Sequence, residues 1–101
     1  MSSSMQKLMQ QAQKMKREMQ KAQEALNAKE FSVTKGGGVT VAMLGSKEVV
    51  EVTIDEDLFD KDNKEMVETL IIMAFNECIE QINAEEAAIN EAITGSATGL
   101  F

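Results

Sequence analysis

The chain has 101 residues, a formal net charge of −7, one Cys and no His, Pro, Trp or Tyr. Without His there is no imidazole base for a Ser/His/Asp or Cys/His relay, and one Cys cannot supply the ligands of a zinc site. This composition predicts a single domain that is not an enzyme, with no cofactor or metal, and the longest apolar run, Leu70 to Phe75, is too short to span a membrane.

Charge is divided unevenly along the chain. Residues 1–29 carry six Lys and Arg against two Glu, a net charge of +4, whereas residues 30–101 carry four Lys against fifteen acids, a net charge of −11. Such asymmetry is typical of a chain whose basic end meets a polyanion. It is also typical of a Lys-rich helix face that is merely solvated. Charge alone fits both interpretations.

A long helix is predicted over residues 4–28. At 1.5 Å per residue it measures about 37 Å, more than the core of so small a domain needs, so we expect it to project. Its apolar residues alternate in spacings of three and four, like heptad positions a and d. This spacing serves pairing across a dimer and packing on the chain's own sheet equally well. The heptad seam consists of Met5, Leu8, Ala12, Met15, Met19, Ala22 and Leu26.

Three short strands are predicted within residues 30–54. Apolar and polar side chains alternate in each of them, which indicates an antiparallel sheet with one wet face. The glycines of residues 36–38 are expected to supply the positive-φ positions of the first turn, and Gly45 with Ser46 those of the second. The simplest topology is a three-stranded antiparallel β-meander.

A second long helix is predicted over residues 63–93, with Asp62 or Asn63 as its N-cap. Its wide apolar stripe is suited to cover the sheet, and Cys78 lies on that stripe, where we expect a buried, unreactive thiol. The small, polar residues 94–101 are expected to form a flexible tail. The predicted fold is therefore α+β, with a long N-terminal helix, a three-stranded β-meander and a long C-terminal helix with an acidic end.

The candidate binding site is the basic face of the first helix. Lys7, Lys14 and Lys21 share heptad position c, and Arg17 lies at position f, so one face is positive along about 21 Å. Such a ladder neutralises phosphates and releases counterions. Because no aromatic residue lies in this segment, duplex DNA is favoured over a stacked single strand.

Several segments, taken in order, carry a resemblance to a known family. They are Leu8–Met15, Gly36–Val41, Val52–Asp55, and Glu65–Leu70 with Ala74–Glu77. Together they resemble the YbaB/EbfC nucleoid-associated proteins over nearly the whole chain. The resemblance implies a bacterial homodimer joined through its sheets, whose projecting helices bind duplex DNA with little sequence preference in the cytoplasmic nucleoid. The short apolar runs and the four aromatic residues, all Phe, separately predict no membrane partner and no small-molecule substrate.

The resemblance also assigns the phosphate-facing side chains. These are Lys7, Lys14, Lys16, Arg17 and Lys21. Family members often carry basic residues in the last helix too, whereas that helix is acidic here. The first helix is therefore expected to make the contacts with DNA. The alternative function is a protein-interaction adaptor that uses the heptad seam or the acidic C-terminal helix without binding DNA directly.

Overall fold

The computed structural model describes residues 2–98. The three strands form one antiparallel sheet in the order β1-β2-β3, and two short 3-10 turns, Glu56–Leu58 and Lys61–Asn63, precede the second helix. The predicted α+β fold and β-meander are confirmed. The main elements are α1 (Ser2–Ala28), β1 (Glu30–Lys35), β2 (Val39–Leu44), β3 (Val49–Ile54) and α2 (Lys64–Thr98).

The second helix is longer than the sequence predicted. α2 continues to Thr98 instead of ending at residue 93, so residues 94–98 of the predicted tail are helical. Gly95 costs a helix only about 1 kcal/mol relative to Ala, and no Pro follows to stop it. Residues 99–101, which are the rest of the predicted tail, lie outside the described residues, as does Met1.

α2 begins at Lys64, directly after Asn63, one of the two residues predicted to cap it. The 3-10 turn before α2 has a cap of its own, Asp60. The Asp60 carboxylate accepts a hydrogen bond of 3.0 Å from the backbone N–H of Asp62. Asp55 plays the same part in the turn before it, accepting from the N–H of Asp57 at 3.1 Å.

The turns between the strands correct two glycine predictions. Gly36 and Gly37 adopt positive φ angles of 59° and 70°, but the third glycine of that turn does not. In the second turn Lys47 has the positive φ, 73°, instead of Gly45. Gly45 is needed for a different reason, since a Cβ atom there would lie 1.8 Å from the backbone oxygen of Leu26.

The core lies between α2 and one face of the sheet. Cys78 and Ile82 of α2 are fully buried against the strands, where Val41 and Met43 are also buried. The Cys78 thiol donates a weak hydrogen bond of 3.5 Å to the carbonyl oxygen of Val41. Burial, together with the nearby Glu77 carboxylate, raises the pKa of the Cys78 thiol. The predicted burial of this thiol is confirmed, and it stays protonated at neutral pH.

α1 projects from the sheet beside the last part of α2. The Lys29 ammonium donates hydrogen bonds of 2.8 and 3.0 Å to the Glu85 carboxylate, which joins the base of α1 to α2. From its start to Glu85, α2 measures about 32 Å, and α1 measures about 40 Å. The molecule is 74 Å long, which is close to the sum of these two lengths. The molecule reaches this length because α1 points away from the sheet. α1 therefore runs antiparallel to the last part of α2.

The heptad seam is partly used within the chain. Leu26 is buried in the core, and Met15 and Met19 are half-buried where α1 contacts α2. Met5 and Leu8, nearer the start of α1, are exposed. The spacing allowed the seam to pack on the chain's own sheet or on a second copy. From Met15 to Leu26 the seam packs mainly on α2 of the same chain.

Candidate nucleic-acid interface

Four cations form a stripe along the outer face of α1. Each residue of an α-helix turns by about 100°, so Lys7, Lys14, Arg17 and Lys21 fall within an arc of about 80°. All four side chains are exposed. The arc is centred roughly 150° from the heptad seam, so it faces away from α2. We call these four side chains the cationic stripe.

Lys16, the fifth predicted site residue, is not part of the stripe. It is exposed like the others, but it projects about 140° from the centre of the stripe and lies beside the seam. Its heptad position, e, already distinguishes it from the c and f positions of the stripe. The structure therefore brings four of the five candidate cations together.

The stripe has little acidic neutralisation. Among residues 2–98, its one ion pair joins the Lys14 ammonium and the Glu18 carboxylate at 4.0 Å. Both partners are exposed, and exposed pairs of this kind contribute little. Several lysines outside α1 are better paired, so the chain neutralises cations elsewhere and leaves the stripe available. Those pairs are Lys29–Glu85, Lys35–Glu77 and Lys64–Glu68.

Two of the three acids in the last part of α2 are kept away from the stripe. Glu85 is already bound to Lys29. The half-buried Ile89 and Ile93 mark the side of α2 that meets α1, and Glu91 projects roughly 170° from that side. Since packed helix axes lie 8–10 Å apart, Glu91 is about 20 Å from the stripe, beyond the Debye length of about 8 Å at physiological ionic strength. Its repulsion of a polyanion on the stripe is therefore screened.

A second exposed surface is apolar and lies on β3. α2 lies over β1 and β2 and leaves β3 largely uncovered. As a result Val49 and Val52, whose register places them on the α2 side of the sheet, remain 44% and 46% exposed. β3 is also an edge strand, paired only with β2. An uncovered valine-rich edge strand is a surface that natural proteins usually cover.

The side of α2 that adjoins β3 extends this apolar surface. The other side of α2 faces β1, where the Glu77 carboxylate forms an ion pair with Lys35 of β1. Phe75 and Ile79 therefore face β3 and are half-buried against the core, and Ile72 beside them is 60% exposed. We call Val49, Val52 and Ile72 the β3 face. Sequence analysis did not single it out.

The rest of the described chain offers less chemistry. An open, mainly apolar cleft of about 450 Å³ lies at the end of the sheet away from α1, lined in part by Ile54, Leu58, Phe59 and Val67. Within residues 2–98, no cluster of His, Cys, Asp or Glu is arranged to hold a metal ion. Neither helix in that range has the length and apolar character needed to cross a membrane.

Comparison with known proteins assigns the family. The sequence matches the YbaB/EbfC DNA-binding family over residues 1–97. The chain belongs to this family. A nucleoid-associated protein of Clostridium novyi is 41% identical over 97 residues, covering 93% of this chain and 85% of the relative. One of Chloroflexus aurantiacus is 40% identical over 95 residues, covering 93% and 95% of the two chains.

Further comparisons agree with this YbaB/EbfC assignment. A nucleoid-associated protein of Agathobacter rectalis is 42% identical over 103 residues, covering 100% of this chain and 91% of the relative. The crystal structure of an uncharacterized protein from Helicobacter pylori matches with a TM-score of 0.57 and 23% identity, covering 92% and 91% of the two chains. That structure supports the fold alone. The family resemblance found in the sequence is confirmed.

Proposed function

We propose that this protein is a homodimeric nucleoid-associated protein that binds duplex DNA through the phosphate backbone, with little sequence specificity, in the cytoplasmic nucleoid. The observation that carries the proposal is the cationic stripe, with four exposed cations on one face of a projecting helix and only one weak ion pair among the described residues. The names of relatives about 40% identical to this chain support DNA as the partner.

The composition of the stripe favours backbone contacts over base reading. Lys and Arg side chains that neutralise phosphates contribute affinity without sequence information. The stripe extends about 21 Å along α1, which matches roughly six phosphates of one strand at 3.4 Å each. Exposed Gln10 and Gln13 near the stripe can donate further hydrogen bonds without adding negative charge.

The β3 face supports the homodimer. Val49 and Val52 lie on the edge strand β3, and Ile72 is exposed on the adjoining side of α2, so a second copy would cover apolar side chains and satisfy backbone groups at once. A dimer also doubles the number of stripe cations that can reach one DNA molecule. Because each phosphate contact adds to the logarithm of the binding constant, pairing two stripes strengthens binding steeply.

Binding to random duplex DNA is expected to weaken steeply with salt. If a dimer contacts about five phosphates, log K falls with log salt concentration at a slope of about −4.5, a loss of several hundredfold between 50 and 200 mM. Mobility-shift titrations with duplexes of unrelated sequence measure this slope. A flat response would contradict the proposal. A stoichiometric protein partner that survives nuclease treatment would then favour the adaptor function.

An Ile72→Glu substitution is expected to convert the dimer into a monomer, because the new carboxylate would be buried in the interface without a partner. Folding should be retained, since Ile72 is exposed within a single chain. The measurement is the mass in solution by light scattering at low micromolar concentration, expected to fall from twice the 11.1 kDa chain mass to that mass.

The matched control for this variant is Met73→Glu. Met73 is exposed next to Ile72 in sequence but projects about 100° away from it, so this variant should remain a dimer. Circular dichroism of both variants checks that α2 is intact. A dimeric Ile72→Glu protein, or equal dissociation of both variants, would show that the interface lies elsewhere.

A further inference from the structure

The first part of α1 extends beyond the part of α2 that covers it. From Glu85 to Thr98, α2 measures about 20 Å, about half the length of α1. Burial follows this difference, since Met15 and Met19 are half-buried while Met5 and Leu8 are 68% and 51% exposed. We call residues 3–14 of α1 the arm tip. Its apolar side chains continue the heptad seam without a covering helix among the described residues.

The packing of α1 on α2 defines what can cover the arm tip. Along the rest of the seam α1 is covered by an antiparallel helix that runs away from the sheet. A helix that continued this packing would run in the same direction as α2 and carry apolar side chains at spacings of three and four. The arm tip of a second copy, aligned antiparallel to the first, has this spacing, this direction and a matching length of about 20 Å.

Charge does not prevent this arrangement. The arm tip carries Lys7 and Lys14 and no acid. Both Lys side chains face away from the seam, so they do not oppose each other where the helices touch. The arm tip of the second copy would continue the interface that α2 forms along the rest of the seam.

We propose that the arm tips of two molecules pair antiparallel through Met5, Leu8 and Ala12, and so link one DNA-bound dimer to another. The link between dimers rests on the proposed function, but the pairing of arm tips does not. Two helices of twelve residues bury less than the roughly 1,200 Å² of a stable interface. The association is therefore weak, and it becomes effective at the high local concentration that DNA binding creates.

The test is sedimentation over a concentration series from about 1 μM to about 1 mM, without DNA, for the wild type, Leu8→Gln and Leu8→Met. The wild type is expected to double its mass as concentration rises. Leu8→Gln places an amide in the seam and should weaken this doubling at least tenfold. Leu8→Met keeps an apolar side chain of similar volume and should retain it.

Two results would overturn the proposal. The first is a wild-type mass that does not change with concentration, and the second is equal association of Leu8→Gln and the wild type. If Leu8→Gln also loses thermal stability in the second case, the seam is covered within one copy. Leu8→Gln leaves the net charge unchanged, so its affinity for one short duplex should equal that of the wild type. A failure of DNA binding is thus separate from a failure of arm-tip pairing.

Discussion

Replacing Lys14, Arg17 and Lys21 together by Gln is expected to lower the affinity for every duplex by on the order of a thousandfold at 50 mM salt. Of about five phosphate contacts in a dimer, the two Lys7 side chains would leave at most two. Each lost contact removes about 0.9 from the salt slope, so the slope should become shallower, from about −4.5 to about −1.8. Mobility shifts with several random duplexes over a range of salt concentrations measure both quantities.

Single substitutions within α1 provide a matched control. Lys14→Gln and Lys16→Gln each remove one positive charge from exposed positions two residues apart, so they change the net charge equally. Only Lys14 belongs to the cationic stripe, and only its loss should reduce the salt slope appreciably. Equal weakening by both variants would mean that binding responds to overall charge instead of to this face of α1.

The fold should tolerate these substitutions. All three stripe side chains are exposed, and Gln is nearly as good a helix former as Lys and Arg. The one ion pair that is lost, between Lys14 and Glu18, joins exposed groups 4.0 Å apart and contributes little stability. A change in affinity can therefore be assigned to the stripe when the helix content of the variant equals that of the wild type.

The sequence predicted the elements of this fold better than their contacts. The heptad spacing predicted α1 and its seam, because periodicity is a local property. It did not reveal that α2 covers the seam from Met15 to Leu26, because one apolar stripe fits any partner of the right shape. The Lys29–Glu85 bond that accompanies this packing joins residues 56 positions apart. No local sequence pattern predicts such a pair.

The two candidate surfaces show the same division. Heptad positions predicted the cationic stripe, since the face of a regular helix follows from spacing alone. Alternation in β3 predicted which valines point toward α2, but not that they would stay exposed. Their exposure depends on where α2 crosses the sheet, and the Lys35–Glu77 ion pair and the buried Cys78 hold α2 over β1 and β2. The β3 face thus arises from tertiary packing.

The substitution Gly45→Ala is expected to lower the free energy of unfolding by about 3–4 kcal/mol. The added Cβ would lie 1.8 Å from the backbone oxygen of Leu26 and 2.6 Å from its carbonyl carbon. These are backbone atoms, so no side-chain rotation relieves the overlap. The turn must move away from α1, which breaks the hydrogen bond of 2.8 Å from the Gly45 N–H to the Lys29 oxygen and exposes part of Leu26.

Chemical denaturation measures this loss, with Gly95→Ala as the control. Outside the backbone of α2 and the adjoining residues, no heavy atom of the described residues lies within 4 Å of a Cβ built at Gly95, which is inside α2, so alanine there should raise stability by up to about 1 kcal/mol. The two variants make the same chemical change with opposite expected signs. Equal stability of Gly45→Ala and the wild type would mean that the base of α1 is not held against this turn. This contact would then not be what holds α1, and with it the cationic stripe, in its direction relative to the sheet.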